Sequence, residues 1–112
     1  MEILFASPKM KKLFNSETEL MRKYGAEGFK RIKLRMSVLR SAPSLASVPS
    51  VPPDRCHELK GNRKGQFAVD LHHPYRLVFR PTGDPPPRKE DGGIDKEKVE
   101  SVTIIEVVDY HD

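Results

Sequence analysis

Residues 65–80, GQFAVDLHHPYRLVFR, form two short stretches of alternating apolar and polar side chains around a central His72-His73-Pro74. Alternation with a period of two is typical of a strand buried on one face, so the pattern predicts strands over Gly65–Leu71 and Tyr75–Arg80. The two histidines and the proline form the turn between these strands. The centre of the chain is therefore predicted to be a β-hairpin.

Two further strands flank this hairpin along the sequence. Cys56–Leu59 is a short strand-like stretch before it, and Ser101–Val108, SVTIIEVV, is a strongly β-branched stretch after it. Residues 82–98 contain three consecutive prolines and Gly92-Gly93, which predicts an exposed loop. The second half of the chain is thus predicted to be a run of antiparallel strands.

In the N-terminal part of the chain, apolar residues instead recur with the helical period of about 3.6 residues. Ser7-Pro8 is typical of an N-cap followed by proline at the first helical position, and it predicts a short helix to about Phe14. Ser16 and Glu19 have the spacing of a capping box and predict the start of a second helix, which Pro43 ends.

The second helix carries one apolar stripe, in which Leu20 and Tyr24 lie beside Met21, Phe29, Ile32, Met36 and Leu39. Gly25 interrupts this stripe. Because glycine is about 1 kcal/mol less favourable than alanine inside a helix, we expect a kink or a break there.

These elements predict a single domain, residues 1–112, with an α+β fold. Residues 1–42 form a helix hairpin, and residues 55–111 form a small, mainly antiparallel β-sheet with the long loop 82–98. The connection 43–54 is rich in proline and serine. Helices followed by strands are typical of this architecture. One face of the sheet is expected to pack against the helix hairpin, which leaves the other face free to bind a partner.

The composition excludes several classes of protein. A single cysteine, Cys56, excludes an intrachain disulfide framework, and no stretch approaches the roughly 20 apolar residues of a membrane-spanning helix. Basic residues follow the short apolar run at the N-terminus, which is the reverse of a secretory signal. We therefore expect a cytoplasmic protein that does not associate with membranes.

Positive charge is concentrated in two segments. The net charge is +4, and residues 22–40 and 55–80 hold most of the lysines and arginines. Such segments suggest a polyanionic partner, because phosphate neutralisation releases counterions; a solvated helix face is the alternative for the first segment. The expected RNA-binding residues are Lys30, Arg31, Lys33, Arg35, Arg63 and Lys64.

The strand region also carries the residue types that cleave RNA. Antiparallel pairing can bring distant side chains onto one patch of sheet. The candidates are His57, Lys60, Arg63, Lys64, Arg76, Asp109, Tyr110 and His111. In cleavage by 2′-hydroxyl attack, one group removes the 2′-proton, cations stabilise the phosphorane, and an acid protonates the leaving 5′-oxygen. Histidine suits both proton roles, and this chemistry needs no metal or other cofactor.

Three stretches of the sequence carry a family resemblance. The run 57–69, HELKGNRKGQFAV, the strand 75–79, YRLVF, and the terminal Asp109-Tyr110-His111 resemble the HigB group of the RelE/ParE toxin superfamily, also called plasmid-maintenance or system killer proteins. With the helix hairpin, the resemblance covers nearly the whole chain. It implies two helices against a small antiparallel sheet. It also implies the toxin of a type II toxin–antitoxin system, a ribosome-dependent mRNA endoribonuclease that acts in the A site.

The same resemblance implies a site and a set of partners. The catalytic residues carried over by position are His57, Lys60, Arg76, Asp109, Tyr110 and His111, with Arg63 as a phosphate contact. The implied partners are the ribosome with its mRNA and a cognate helix-turn-helix antitoxin; whether toxin and antitoxin together bind DNA is left open. Asn62 stands where many relatives have aspartate, loop 82–98 is longer than in compact members, and Asp112 follows the histidine.

Other interpretations remain open. The same superfamily includes gyrase poisons without the RNA-cleaving residues, and a basic RNA- or ribosome-binding module without chemistry is a third class. His72 and His73 are more simply turn residues than metal ligands, since no paired spacing supports a metal site. Cys56 is more simply a small buried residue than a nucleophile, since adjacent strand residues such as His57 point to opposite faces.

Overall fold

The computed structural model describes residues 1–110, which form two helices and five strands. Their bounds are β1 Glu2–Phe5, α1 Pro8–Phe14, α2 Glu17–Ser41, β2 His57–Glu58, β3 Phe67–Asp70, β4 Tyr75–Pro81 and β5 Ser101–Asp109. The predicted helix hairpin, β-hairpin and final strand are confirmed. The strand predicted over Cys56–Leu59 is reduced to the two residues of β2.

The strands form one sheet in the order β1-β5-β4-β3-β2. β1 runs parallel to β5, with Glu2 opposite Ser101, and the other neighbouring pairs are antiparallel. The prediction of an α+β fold with a mainly antiparallel sheet is thus confirmed. β1 itself is not predicted by the sequence pattern, because it has four residues and pairs with a strand near the opposite end of the chain.

Both helices begin at the predicted caps. The hydroxyl of Ser7 accepts a hydrogen bond from the amide of Met10 at 3.1 Å, and that of Ser16 accepts one from the amide of Glu19 at 3.2 Å. These bonds satisfy amides that the first helical turn leaves without partners. Neither α1 nor α2 is both long and apolar enough to cross a membrane.

A break at Gly25 divides α2 into two parts. Its φ of 74° and ψ of 174° lie outside helical geometry. The break changes which side chains face the core: Leu20 is 3% exposed, whereas Met21 is 45% exposed. The prediction that Met21 belongs to the apolar stripe is therefore wrong, because helical spacing cannot be counted across the break. Beyond it, Ile32, Met36 and Leu39 are buried as predicted.

The two faces of the sheet have different surroundings. The face that packs on the helices contributes Phe67, Val69, Leu77, Phe79, Val102 and Ile104 to the main core. Because side chains alternate along a strand, the residues between these point the other way, onto what we call the open face. A second apolar cluster lies there, formed by Leu59, Ala68 and Val78 with Ile105, Val108 and Tyr110 packed against it.

Loop 82–98 is attached to the rest of the domain at several points. Ile94 is buried in the main core and forms an isolated bridge with Arg88. The hydroxyls of Thr82 and Thr103 lie 2.8 Å apart. The expectation of an entirely exposed loop is therefore wrong at Ile94. The residues around Ile94 in the sequence are polar, and they give no sign that it is buried.

Candidate active site on the open face

The register of the sheet brings three of the expected site residues to one region. Arg76 on β4 pairs with Asp70 on β3, and His57 on β2 pairs with Ala68. Ala68 and Asp70 are two positions apart, so both belong to the open face, together with their partners across the ladder. Tyr110 follows β5 and packs on the same face. His57, Arg76 and Tyr110 therefore share one surface.

The Arg76 guanidinium is held from two sides. Its Nε lies 3.4 Å from Oδ1 of Asp70, and its central carbon lies 4.6 Å from the ring centroid of Tyr110. Tyr110 is itself fixed by its backbone amide, which donates to the carbonyl of Pro74 at 3.0 Å. The two terminal nitrogens of Arg76 make no hydrogen bond within residues 1–110. They are thus available to a ligand.

His57 is oriented by the backbone two residues before it. Its Nδ1 lies 2.7 Å from the carbonyl oxygen of Arg55. Since a carbonyl oxygen only accepts, Nδ1 carries the proton in this contact, and Nε2 of the neutral ring is left with a free lone pair. This contact favours, for the neutral ring, the tautomer that a general base requires.

Arg55 belongs to the same network, although the sequence analysis does not select it. Its Nε donates to Oδ2 of Asp70 at 2.6 Å. This hydrogen bond, and then the charge of the carboxylate, raise the pKa of the Arg55 guanidinium above its ordinary value. Arg55 has a φ of 48°, the one positive φ of a non-glycine residue within 1–110. Only its basic type in a basic segment gives a hint of this role in the sequence.

The connection from β2 to β3 carries three cationic side chains that lie in different environments. Lys60 and Lys64 are exposed, and the side chain of Lys60 makes no hydrogen bond or ion pair within the described part of the chain. Arg63 crosses the open face, where it pairs with Glu106 of β5 and donates to the side-chain oxygen of Gln66 at 2.8 Å. Arg63 thus already has protein partners, whereas Lys60 is available.

The last residues of the expected site are placed only in part. Asp109 pairs with Tyr75, whose ring packs with the helix-side core, so the register does not bring Asp109 onto the face of Arg76. His111, together with Asp112, lies outside the described residues. The roles expected for Asp109 and His111 stay predictions.

The basic residues of α2 lie on the helix layer, on the other side of the sheet from His57. Lys30 is exposed. Arg31 donates to Glu27 at 2.8 Å, and this bond lowers the pKa of Glu27. Lys33 donates to Glu17 at 3.1 Å. The expected RNA-binding residues therefore form two separate surfaces, one on α2 and one at the β2–β3 connection.

Arg35 differs from the other basic residues of α2, because it is only 4% exposed. Its Nε donates to the carbonyl of Asp70 at 2.6 Å and lies 3.6 Å from Oδ1 of the buried Asp54. Its Nη2 donates to the carbonyl of Pro53 at 3.2 Å. The prediction that Arg35 contacts RNA is therefore wrong: it joins α2 to the segment before β2.

Two alternative roles, metal binding by the histidines and nucleophilic attack by Cys56, are not supported by the geometry of the described residues. Within residues 1–110, no three potential metal-ligating side chains come together. Burial raises the pKa of the Cys56 thiol to about 11, partly opposed by the charge of Lys96. A thiol with so high a pKa is a poor nucleophile at neutral pH.

Comparison with known proteins gives structural relatives only. No protein-family model matches the sequence, and no curated protein sequence matches it with significance. A YoeB/ParE toxin from Agrobacterium tumefaciens superposes with a TM-score of 0.56 and 14% identity, over 99% of this chain and 100% of that one. The chain has the fold of the YoeB/ParE toxins.

Two structures from Staphylococcus aureus have this fold as well. The YoeB dimer superposes with a TM-score of 0.53 and 17% identity, and the YoeB–YefM complex with a TM-score of 0.51 and 18% identity. Each match covers 100% of this chain and 98% of the other. Because the YoeB/ParE fold is matched end to end, both the helix hairpin and the whole sheet belong to it.

Proposed function

We propose that the chain is the toxin of a type II toxin–antitoxin system and cleaves mRNA on the ribosome. The observation that best supports this is the surface shared by His57, Arg76 and Tyr110. It combines a correctly oriented imidazole, a guanidinium with unused terminal nitrogens, and an aromatic ring. The sequence resemblance to HigB toxins and the YoeB/ParE fold are consistent with the same activity.

In the proposed reaction, the 2′-hydroxyl of the RNA attacks the adjacent phosphorus. His57 Nε2 takes the 2′-proton as the O2′–P bond forms. Arg76 and Lys60 stabilise the charge on the phosphorane, and the P–O5′ bond breaks with proton transfer to the 5′-oxygen. The products are a 2′,3′-cyclic phosphate and a 5′-hydroxyl. The proton for the 5′-oxygen is assigned to His111 or to Asp109, which is close to it in the sequence, and the ring of Tyr110 orients the neighbouring base.

The proposed partners follow from this activity. The ribosome carries the mRNA, and the two basic surfaces, on α2 and at the β2–β3 connection, are suited to rRNA phosphates. Since one structural relative is a YoeB–YefM complex, we also propose a cognate antitoxin, a small helix-turn-helix protein that inhibits the toxin in the cytoplasm.

The test is cleavage of mRNA on programmed ribosomes by purified protein. We expect His57→Ala, Arg76→Ala and His111→Ala each to lower the rate about 10²–10⁴-fold, the usual effect of losing a general acid, a general base or a stabilising cation. His73→Ala is the matched control, because His73 is exposed in the turn before β4. Thermal midpoints of all four variants should stay close to that of the wild type.

The alternatives give different results in the same set of measurements. Cleaved gyrase–DNA complexes with intact mRNA would identify a gyrase poison. Ribosome binding without cleavage would identify a non-catalytic module. If His57→Ala and Arg76→Ala cleave at the wild-type rate, the assigned site is wrong.

A further inference from the structure

We propose that Arg55 and Arg76, held together on the carboxylate of Asp70, form a two-arginine clamp in which Arg76 binds the phosphate that is cleaved and Arg55 binds a second RNA phosphate. This phosphate adjoins the one that is cleaved. The proposal rests on the RNA-cleaving function above and adds a binding residue, Arg55, to it. It also makes Asp70 a positioning residue, which acts through the two arginines rather than on the RNA.

Both arginines of the clamp contact the same carboxylate, that of Asp70. Arg55 Nε donates to Oδ2 of Asp70 at 2.6 Å, while Arg76 Nε lies 3.4 Å from Oδ1 of the same carboxylate. The Arg55 contact is a hydrogen bond, whereas the Arg76 contact is an ion pair to an oxygen that has no hydrogen-bond partner within residues 1–110. The two terminal nitrogens of each guanidinium make no hydrogen bond among the described residues. The side chains of Arg55 and Arg76 are 43% and 29% exposed, so a ligand can reach both.

Asp70 is rigidly placed for this task. Its amide donates to the carbonyl of Asp54 at 2.8 Å, and its own carbonyl accepts the buried Arg35 Nε at 2.6 Å. Both backbone groups are therefore fixed independently of the carboxylate. A carboxylate on such a support can hold two flexible arginine side chains in one arrangement, which reduces the entropy lost when they bind a ligand.

The backbone of Arg55 gives a second, independent reason to connect it with function. A positive φ is unfavourable for arginine by about 1 kcal/mol or more, and such residues cluster at functional sites. Here the unusual conformation lets one residue serve two groups: its carbonyl orients His57, and its side chain reaches Asp70. A solvent-facing arginine with no role would not need this backbone.

Phosphate is the ligand that fits such a pair. Guanidinium groups bind phosphate oxygens through two parallel hydrogen bonds, and two of them supply more positive charge than the single carboxylate cancels. A polynucleotide on the open face offers consecutive phosphates. With Arg76 and Lys60 assigned to the scissile phosphate, Arg55, which precedes β2 and contacts the same carboxylate as Arg76, is placed for its neighbour.

The experiment measures binding separately from cleavage. The probe is an mRNA with a 2′-O-methyl group at the A-site codon, which cannot be cleaved, on programmed ribosomes. We expect Arg55→Asn to raise Kd about tenfold or more, as for the loss of a charged hydrogen-bonding contact, and to reduce the slope of log K against log salt by about 0.7. Asparagine is chosen because it tolerates a positive φ, so the carbonyl contact to His57 is kept.

Asp70→Asn gives the most discriminating result. It makes the protein more positive, so simple charge attraction predicts tighter binding to RNA. The clamp predicts weaker binding, because the amide offers one oxygen where the carboxylate offers two. Tighter binding by a folded Asp70→Asn variant would overturn the proposal.

Lys9→Asn is the control, because it also removes one exposed positive charge, but on α1, outside both basic segments. We expect its Kd to equal that of the wild type. Equal Kd values for Arg55→Asn and wild type would overturn the clamp. Failure of the wild type to cleave unmodified mRNA would instead count against the proposed function, so the two failures are distinguishable.

Discussion

The guanidinium of Arg76 lies over the ring of Tyr110, with its central carbon 4.6 Å from the ring centroid. The hydroxyl of Tyr110 is buried and has no hydrogen-bond partner within residues 1–110. The ring, and not the hydroxyl, therefore positions the arginine. Such a contact contributes about 0.5–2 kcal/mol.

A pair of substitutions at Tyr110 tests this division of roles. Tyr110→Phe keeps the ring and removes a buried polar group without a partner, so we expect wild-type cleavage and equal or slightly higher stability. Tyr110→Ala removes the ring, and we expect cleavage to fall at least about tenfold. Single-turnover rates and urea denaturation measure both. Loss of activity in Tyr110→Phe would assign a chemical role to the hydroxyl.

Among the basic residues of α2, Arg35 should be the one whose substitution lowers the free energy of unfolding most. Arg35→Ala leaves the carboxylate of Asp54 buried without its cation and removes two bonds to backbone carbonyls. Breaking a buried ion pair in this way destabilises by about 3–5 kcal/mol. Lys30→Ala, at an exposed position of the same helix, should change the free energy of unfolding by no more than about 0.5 kcal/mol. Similar values for the two variants would contradict the burial of Arg35.

Gly25 should behave unlike a glycine inside a regular helix. Alanine there would normally stabilise by up to about 1 kcal/mol. With φ at 74° and ψ at 174°, a region essentially restricted to glycine, Gly25→Ala should instead destabilise by about 1–3 kcal/mol. Apart from its chain neighbours and the backbone of its own helix, no atom lies within 4 Å of the added methyl group, so a clash with packed side chains is not the cause. Increased stability of Gly25→Ala in urea would mean that α2 is continuous.

The burial of Cys56 makes the stability of the fold depend on pH in the alkaline range. Burial raises its pKa to about 11 in the folded protein, compared with about 8.5 for an unfolded chain. The stability that this contributes is therefore complete below about pH 8.5 and is lost as the pH rises towards 11. At pH 8 a thiol reagent should label the native protein roughly 10²-fold more slowly than the unfolded one. Cys56→Ser serves as the unlabelled control, and equal rates for both states would contradict this burial.

Local patterns account for most of the architecture. The caps at Ser7 and Ser16, the break at Gly25 and the turn before Tyr75 each depend on a few neighbouring residues, and each was predictable. β1 was not, because four residues have no distinctive period and their partner strand is distant in sequence. Contacts of this kind depend on topology rather than on local propensity.

The site was predictable by residue type but not by arrangement. Arg35 has the charge of a surface residue, yet it lies three positions after Ile32 and four before Leu39, both in the core stripe, and this spacing was the available signal of burial. Arg55 gave no comparable signal. Its role depends on a positive φ and on the register that sets it beside Asp70, and both result from long-range packing.

The position of β5 has a consequence for synthesis. It is the last strand along the chain, yet it lies between β1 and β4 and pairs with both. A nascent chain that ends before Ser101 therefore contains the helix hairpin and the β-hairpin without the strand that joins them. Contacts between such distant residues form late and slowly. Because Tyr110 follows β5, the surface around Arg76 is completed only after β5 has been synthesised. Under the proposed function, the growing polypeptide therefore lacks a complete RNA-cleaving site until that point.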